Sequence, residues 1–389
     1  MRIAIVATHP IQYHAPWFRA LVAEGVELHV LFSVIPGAAQ QATGFGGAFE
    51  WDLPLLTGYP WSVLPQGRRA TRLGSFFGLR NREIGRVLSA LEPDVVLLTG
   101  WNALPLLQGL FAAIRLGIPT LVRGESNSLR RRPAWKETGH RALLAFYDGV
   151  VSIGRANTAF YERSGVPPER IVEGGYFVDE DHFRGARDRE MPRRDELRKS
   201  WNIPTKAFCL LFVGKLQEKK RPLDFVGAIA AAAQRLPPGA IHGLVVGSGE
   251  LAEEAEKAAE LSGAPITFAG FLNQSEIGRA YAAADVLVLP SDWGETWGLV
   301  VNEAMTFGRA AIVSDRVGCA PDLVEDGVTG RVFRFGDVPA LASCIVDLAM
   351  NPTMARAMGQ RALERIGFYS PRRGAAATIT AARIVVEGR

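Results

Sequence analysis

Two doubly wound α/β domains are what this chain predicts, and three observations carry the prediction. Short apolar runs of strand type alternate with segments of helical period along most of the sequence, the pattern of a parallel sheet with helices on both faces. The alternation stops over residues 184–200, which are dense in Arg, Asp, Glu and Pro, and then restarts. The chain has 389 residues, 48% of them hydrophobic, enough to bury two cores. The expected division is a first domain over 1–185, a connection over 186–203, a second domain over 204–366 and a helical segment over 367–389.

Taken in order, residues 1–7 read as a strand, 16–24 as an amphipathic helix built on Trp17, Phe18 and Leu21, and 27–32 as a second strand. The intervening Thr8-His9-Pro10-Ile11-Gln12-Tyr13-His14-Ala15 carries more polar and aromatic groups than a structural turn needs, which marks the loop as ligand-facing. Residues 36–64 are rich in Gly, Pro and aromatics with little periodicity, and read as a long excursion bounding an acceptor site. Strands over 94–99, 120–123, 149–153 and 171–173 complete the first half; Gly100-Trp101-Asn102 and Gly124-Glu125-Ser126-Asn127 follow the first two of these. The second half is expected to place strands at 208–213, 243–246, 266–268, 286–289 and 310–314. Helices are expected over 222–236, 251–261, 275–284, 338–350 and 352–366, and 371–386 is alanine-rich and helical in propensity.

Composition narrows the function classes. Charged residues make up 22% and the net charge is +4, which fits a soluble globular protein. Arg68, Arg69, Arg72, Arg80, Arg82 and Arg86 are interleaved with Leu73, Phe76, Phe77 and Leu79, a pattern suited to peripheral contact with an anionic membrane surface over 68–86; a nucleic-acid partner is not expected. Three cysteines, Cys209, Cys319 and Cys344, with no CxxC spacing, argue against disulfides and zinc and for a cytoplasmic protein, with peripheral contact at the inner face of the membrane. Pro105, Gln108 and Arg115 break the apolar run 95–118, which therefore reads as strand, loop and buried helix. The first strand is not followed by GxGxxG, which disfavours nicotinamide and flavin chemistry. Asp179-Glu180-Asp181 spells a DxD but lies far from the other motifs, so neither a metal nor another cofactor is expected.

Chemistry concentrates in two stretches of the second half. Val286 to Leu289 is a buried-strand run broken by Pro290, Ser291, Asp292 and Gly294, with a helical pattern from about Trp297. Glu295 is thereby placed on a loop at a strand's carboxyl end, and Glu303 one to two turns into the next helix, whose first N–H groups face the same crevice. The other stretch, Gly214-Lys215-Leu216-Gln217-Glu218-Lys219-Lys220-Arg221, leaves the second domain's first strand with a glycine and several cations. Cations for a diphosphate and a carboxylate for the paired hydroxyls of a ribose are what a nucleoside diphosphate requires. Val246-Gly247-Ser248-Gly249 lacks the third glycine of a dinucleotide fingerprint and reads as a tight strand-to-helix turn.

These residues resemble the GT-B glycosyltransferases of family 4, the glycosyl transferases of group 1. The resemblance runs from about Phe208 to Arg365 through Gly214-Lys215-Leu216 with Lys220, Val246-Gly247-Ser248-Gly249, Phe268-Ala269-Gly270-Phe271, Pro290-Ser291, the Glu295-x7-Glu303 spacing, Pro321-Asp322-Leu323-Val324, Gly327-x-x-Gly330 and Met358-Gly359. It implies two Rossmann-like domains facing each other across a cleft, a last helix crossing back to the first domain, and a retaining transfer from a nucleotide-sugar donor without a metal. By the resemblance Glu303 holds the donor ribose, Glu295 a donor-sugar hydroxyl near the reacting centre, and Lys215 and Lys220 the diphosphate. Gly214 and the N–H groups around Trp297, Gly298 and Leu299 assist. Many members carry a histidine after a middle strand of the first domain; this chain has Arg123-Gly124-Glu125-Ser126-Asn127 there and Gly100-Trp101-Asn102 on the preceding strand, so Glu125, Asn127, Asn102 and His9 become candidates for its contacts.

The activity this implies is transfer of a hexose-type sugar from a UDP- or GDP-sugar to a saccharide, lipid-linked or small-molecule acceptor, in cell-surface polysaccharide or glycoconjugate biosynthesis. A nucleotide-sugar epimerase or hydrolase on the same fold, and a non-catalytic nucleotide-sugar-binding protein, are the rival readings.

Overall fold

A computed structural model describes residues 1–41, 49–65 and 72–388. Arg68 and Arg69, and the middle of the 36–64 excursion, fall outside the described residues. The chain divides into two compact units. The first comprises Met1–Gln40, Pro54–Phe177 and Tyr369–Arg389, and the second Gln41–Leu53 and Val178–Phe368.

The first unit is built on β1 (Arg2–Ala7), β2 (Glu27–Phe32), β3 (Trp61–Val63), β4 (Val95–Leu98), β5 (Thr120–Val122), β6 (Gly149–Ser152) and β7 (Ile171–Glu173). They form one sheet in the order β3-β2-β1-β4-β5-β6-β7, with every pairing parallel. The chain works outward from β1 to β3 and then returns to β4 on the other side of β1. This reversal between β1 and β4 is a switch point, where neighbouring loops diverge and leave a crevice at the strand ends. Both faces of the sheet are covered, so β1 and β4 are apolar throughout their buried residues. The helix Pro371–Glu387 packs on one face as part of this unit, capped by the Ser370 side chain. Trp17 Nε1 donates to Thr378 Oγ1 at 3.2 Å within the core, and Ala375, Ala381 and Ala382 are buried beside Trp17, Phe18 and Phe177.

The second unit repeats the plan with β8 (Phe208–Val213), β9 (Ile241–Val246), β10 (Ile266–Gly270), β11 (Val286–Leu289), β12 (Ala310–Ser314) and β13 (Gly330–Phe333). Its order is β10-β9-β8-β11-β12-β13, again with parallel pairings, and its switch point lies between β8 and β11. Leu210 and Leu211 pair in register with Val286 and Leu287, so the loops after β8 and β11 leave the sheet side by side.

The stretch expected as a connection is ordered helix within the second unit. Residues Glu180–Glu190, Met191–Arg193 and Arg194–Ser200 form an α-helix, a 3-10 turn and a second α-helix. Two of its arginines turn inward, as a connection's would not. Arg194 Nη2 meets Asp285 Oδ1 at 2.7 Å, and the Arg198 side chain, 5% exposed, meets the other oxygen at 3.4 Å. Asp179 of the DxD is the N-cap of the first helix, its carboxylate accepting from His182 N at 3.1 Å. Residues 49–53, expected in the first domain, pack here too: Asn273 Nδ2 donates to the Glu50 carbonyl at 2.7 Å, and the Phe49 and Phe271 rings lie 4.4 Å apart.

Candidate active site

Every residue of β8 is buried, so its polar surroundings begin only where the strand stops, at Gly214. Gly214 has φ +149, and a Cβ there would stand 3.4 Å from Lys220 Cε; the Lys220 stem folds back against this glycine. A turn of 3-10 helix, Glu218–Lys220, ends at Arg221 in a left-handed conformation and starts the helix Pro222–Ala233. Arg221 is tied there by Asp224, at 2.9 and 2.8 Å. The loop is thus wound so that Lys220 points back over the strand end.

Across the switch point, β11 gives way to Pro290 and Ser291, and the loop that follows is clamped on both sides. Asp292 N donates to the Lys219 carbonyl at 2.9 Å, joining it to the basic loop. Gly318 N and Cys319 N donate to the carbonyls of Glu295 and Trp297 at 3.1 and 2.9 Å, joining it to the loop after β12. Gly318 has no room for a side chain, since a Cβ would fall 1.8 Å from the Thr296 carbonyl oxygen. Held this way, Glu295 Oε2 forms an ion pair with Lys220 Nζ; the two side chains are 15% and 13% exposed. Ser291 Oγ lies 3.5 Å from the same oxygen. The Glu295 charge and burial together push the Cys319 thiol well above its ordinary range, burial being the larger cause.

Gly298 then opens the helix Leu299–Thr306 at φ +106. Trp297 and Gly298 are buried and Leu299 is half-buried. Trp297 is fixed by its indole N–H, which donates to Asn302 Oδ1 at 2.8 Å. Glu303, one turn into the helix, is 1% exposed and accepts a 2.6 Å hydrogen bond from Tyr281 OH. Lys215 is half-buried, and its ammonium pKa is lowered by burial and then by the Lys219 and Lys220 charges. Such a cation is stabilised most by an anion brought beside it.

The first unit's expected residues lie at the carboxyl ends of its strands. His9 Nδ1 lies 2.9 Å from Thr8 Oγ1, and burial lowers the ring's pKa. Glu125 is exposed and accepts a 2.6 Å bond from Tyr176 OH. Beneath them Arg123, 4% exposed, donates from Nη2 to the Gly175 carbonyl at 3.0 Å, its guanidinium 5.0, 4.8 and 5.3 Å from the ring centres of Trp17, Tyr176 and Phe177. Asn157 braces the 124–127 loop through the Gly124 carbonyl at 3.1 Å and the Ser126 carbonyl.

Lys220 and Glu295, 75 residues apart, are therefore brought into contact, while Glu303 is met by Tyr281, a partner the sequence reading did not name. Asn302, which orients Trp297, was also missed. Its signal was present, an amide directly after the apolar run Leu299-Val300-Val301. Tyr281 had none, because a tyrosine in an alanine-rich helix reads as core.

Comparison with known proteins agrees with this architecture. The family model for glycosyl transferases group 1 matches residues 193–365, and that for a glycosyl transferase 4-like domain matches residues 11–173. The sulfoquinovosyl transferase of Arabidopsis thaliana is 32% identical over 49% of this chain and 36% of its own length. The D-inositol 3-phosphate glycosyltransferase of Streptomyces coelicolor is 27% identical over 67% and 60%, and the GDP-mannose-dependent alpha-mannosyltransferase of Mycobacterium tuberculosis 30% identical over 65% and 63%. The chain spans about a third to three-fifths of these curated relatives. Among solved structures, sucrose-phosphate synthase from Thermosynechococcus elongatus superposes with TM-score 0.72 at 18% identity over all of both chains. Anabaena HepE in complex with UDP and glucose gives 0.71 at 16% identity, over 98% of this chain and 100% of that one. The two models take in both α/β halves, and the chain belongs to the group 1 glycosyltransferases of the GT-B fold.

Proposed function

We propose that the protein is a retaining glycosyltransferase that moves a hexose-type sugar from a UDP- or GDP-sugar to a saccharide, lipid-linked or small-molecule acceptor, serving cell-surface polysaccharide or glycoconjugate biosynthesis. The observation that carries this reading is the largely buried Lys220–Glu295 pair at the β8/β11 switch point. A carboxylate and an ammonium held there can separate around a sugar diphosphate, the cation turning to phosphate and the carboxylate to a sugar hydroxyl. Lys215, half-buried beside the Lys219 and Lys220 charges, supplies the second phosphate contact. Gly214 lets backbone approach the donor, and the N–H groups of Trp297, Gly298 and Leu299 favour its negative charge. Glu303, its carboxylate held by the Tyr281 hydroxyl, takes the ribose hydroxyls.

Each of these groups acts on the departing diphosphate or on the sugar that leaves it. In the proposed front-face substitution, the acceptor oxygen bonds to the anomeric carbon on the face from which the phosphate oxygen departs. The acceptor proton passes to that phosphate oxygen, and Lys220 and Lys215 offset its charge, so no metal is called for. His9 and Glu125 on the first unit are proposed to contact the acceptor or the transferred sugar. The protein is proposed to work in the cytoplasm, with the exposed Arg72, Arg80, Arg82 and Arg86 near a membrane surface. No single helix among the described residues is long and apolar enough to cross a membrane. UDP- and GDP-sugars screened by calorimetry, followed by product release with and without acceptors, test the proposal. Donor breakdown that no acceptor accelerates would overturn it in favour of hydrolysis.

A further inference from the structure

The helix Ala134–Leu144 of the first unit is packed unlike its neighbours, since Leu144 is its one buried residue. At 3.6 residues per turn, Trp135, Gly139, Ala142 and, just beyond the helix end, Phe146 fall on one stripe, and all four are exposed. Trp135 is 71% exposed and Phe146 51%. Phe146 meets the ring of Phe111, itself 41% exposed, edge to face at 5.7 Å, so the apolar surface continues onto the helix Leu104–Arg115. An amphipathic helix that only filled a core would bury this stripe.

The flank of the same helix is strongly basic. Between it and the helix Arg155–Arg163 runs a groove with one cavity of about 200 Å3 and another of about 400 Å3, sharing Arg141 and Ser164 in their walls. Four arginines line them, Arg132, Arg141, Arg163 and Arg170, against one carboxylate, Glu137. None of the four has an ion-pair partner among the described residues. Arg132 bonds instead to the carbonyls of Asn127 and Arg130, at 2.8 and 3.2 Å. In the wall of the larger cavity stands Tyr147, 3% exposed, whose hydroxyl has no hydrogen-bond partner. Four guanidinium groups against one carboxylate along a groove form a site suited to an anionic oxygen.

We propose that this face is a docking surface for an anionic lipid bilayer, with the groove taking a phospholipid headgroup phosphate and the stripe resting at the headgroup level. Charge complementarity selects the occupant. Lys136 lies 5.2 Å from the Trp135 ring centre, and Arg130 and Arg131 are exposed just before the helix, so the stripe is framed by cations. A second copy of this chain would set those cations against one another. Tryptophan, with its apolar body and N–H donor, suits the bilayer interface. The proposal does not depend on the transfer reaction, and it places contact on a different element from the arginines of 68–86.

The test is co-sedimentation of the full chain with vesicles of phosphatidylcholine, alone or mixed with phosphatidylglycerol, at low and high salt. Binding is expected with the anionic vesicles alone, and salt is expected to weaken it. Arg141→Ala combined with Arg163→Ala is expected to weaken it roughly thirtyfold, the effect of removing two cations from beside an anionic leaflet. Brominated phosphatidylglycerol is expected to quench tryptophan fluorescence, and Trp135→Phe to remove part of that quenching. The thermal midpoint checks that each variant is folded, and Arg80→Ala with Arg82→Ala is the comparison on the other basic element. Equal binding to neutral vesicles overturns the proposal, as does loss of binding in the Arg80/Arg82 variant alone. A concentration-dependent dimer abolished by Trp135→Ala assigns the face to a second copy and overturns it as well.

Discussion

Glu295 gains its ion pair with Lys220 from the clamping of its loop, and its charge is positioned before any ligand arrives. Glu295→Gln keeps the size of the side chain and removes the charge. In the proposed reaction it should lower turnover roughly 10²–10³-fold, the range seen when a positioned polar group is lost from a transition state. Steady-state rates at saturating donor measure this, and near-normal turnover would sink the role given to Glu295. Tyr281→Phe takes the hydroxyl from the buried Glu303 carboxylate and should cost about 1.5–3 kcal/mol of stability in urea unfolding, as a lost bond to a charged group does. His14 makes a prediction in pH. Its ring is buried, and burial, then Arg123 and His9, hold its pKa well below the ordinary value. Below about pH 6.5 the unfolded chain therefore binds a proton that the folded one refuses, so stability is full above that pH and falls as pH drops through it. His14→Gln should flatten this acid limb of the denaturation midpoint; an unchanged limb would assign it to other groups.

Between neighbouring strand exits, glycines decide how closely loops approach. Gly247, leaving β9 at φ +135, faces the loop after β8 so tightly that a Cβ would fall 2.0 Å from the Gly214 carbonyl oxygen. Gly263 also has positive φ, +64, with nothing near it. Gly263→Ala should cost only backbone strain, about 1–2 kcal/mol. Gly247→Ala should add displacement of Gly214 and a measurable loss of UDP affinity by calorimetry; equal affinities in the two variants would refute that link. At this scale the buried strands were readable in the sequence, since 208–213, 286–289 and 310–314 are runs that both sheet faces require to be apolar. The edge strands β3 and β13 were not, being three and four residues long and partly exposed. Nor were the helices of 180–200, which carry surface composition but place the charges of Arg194 and Arg198 on Asp285. The site divides in the same way. Lys220, Glu295 and Glu303 stand out as charges beside strand exits, whereas Tyr281 is recognised only once the helix Gly278–Ala283 is seen beside Glu303.

For the whole molecule, the first unit is assembled from parts of the chain that lie far apart. Its core includes Ala375, Ala381, Ala382 and Val385, and Gly374 lies so close to Phe177 that a Cβ would fall 2.1 Å from the ring. A fragment of residues 1–177 should therefore expose the Trp17 and Phe18 side of its core and bind a hydrophobic dye. Adding a peptide of residues 369–388 should suppress that binding and sharpen the unfolding transition. A fragment that unfolds cooperatively by itself, without the peptide, would contradict this.

The return of the helix Pro371–Glu387 to the first unit also orders events in time. On a ribosome adding roughly 5–20 residues per second, the final helix follows residue 177 by roughly 10–40 s, long after the sheet it covers has emerged. The half that is synthesised first is thus the last to be finished, and until then the nascent chain presents an open apolar face that invites a chaperone.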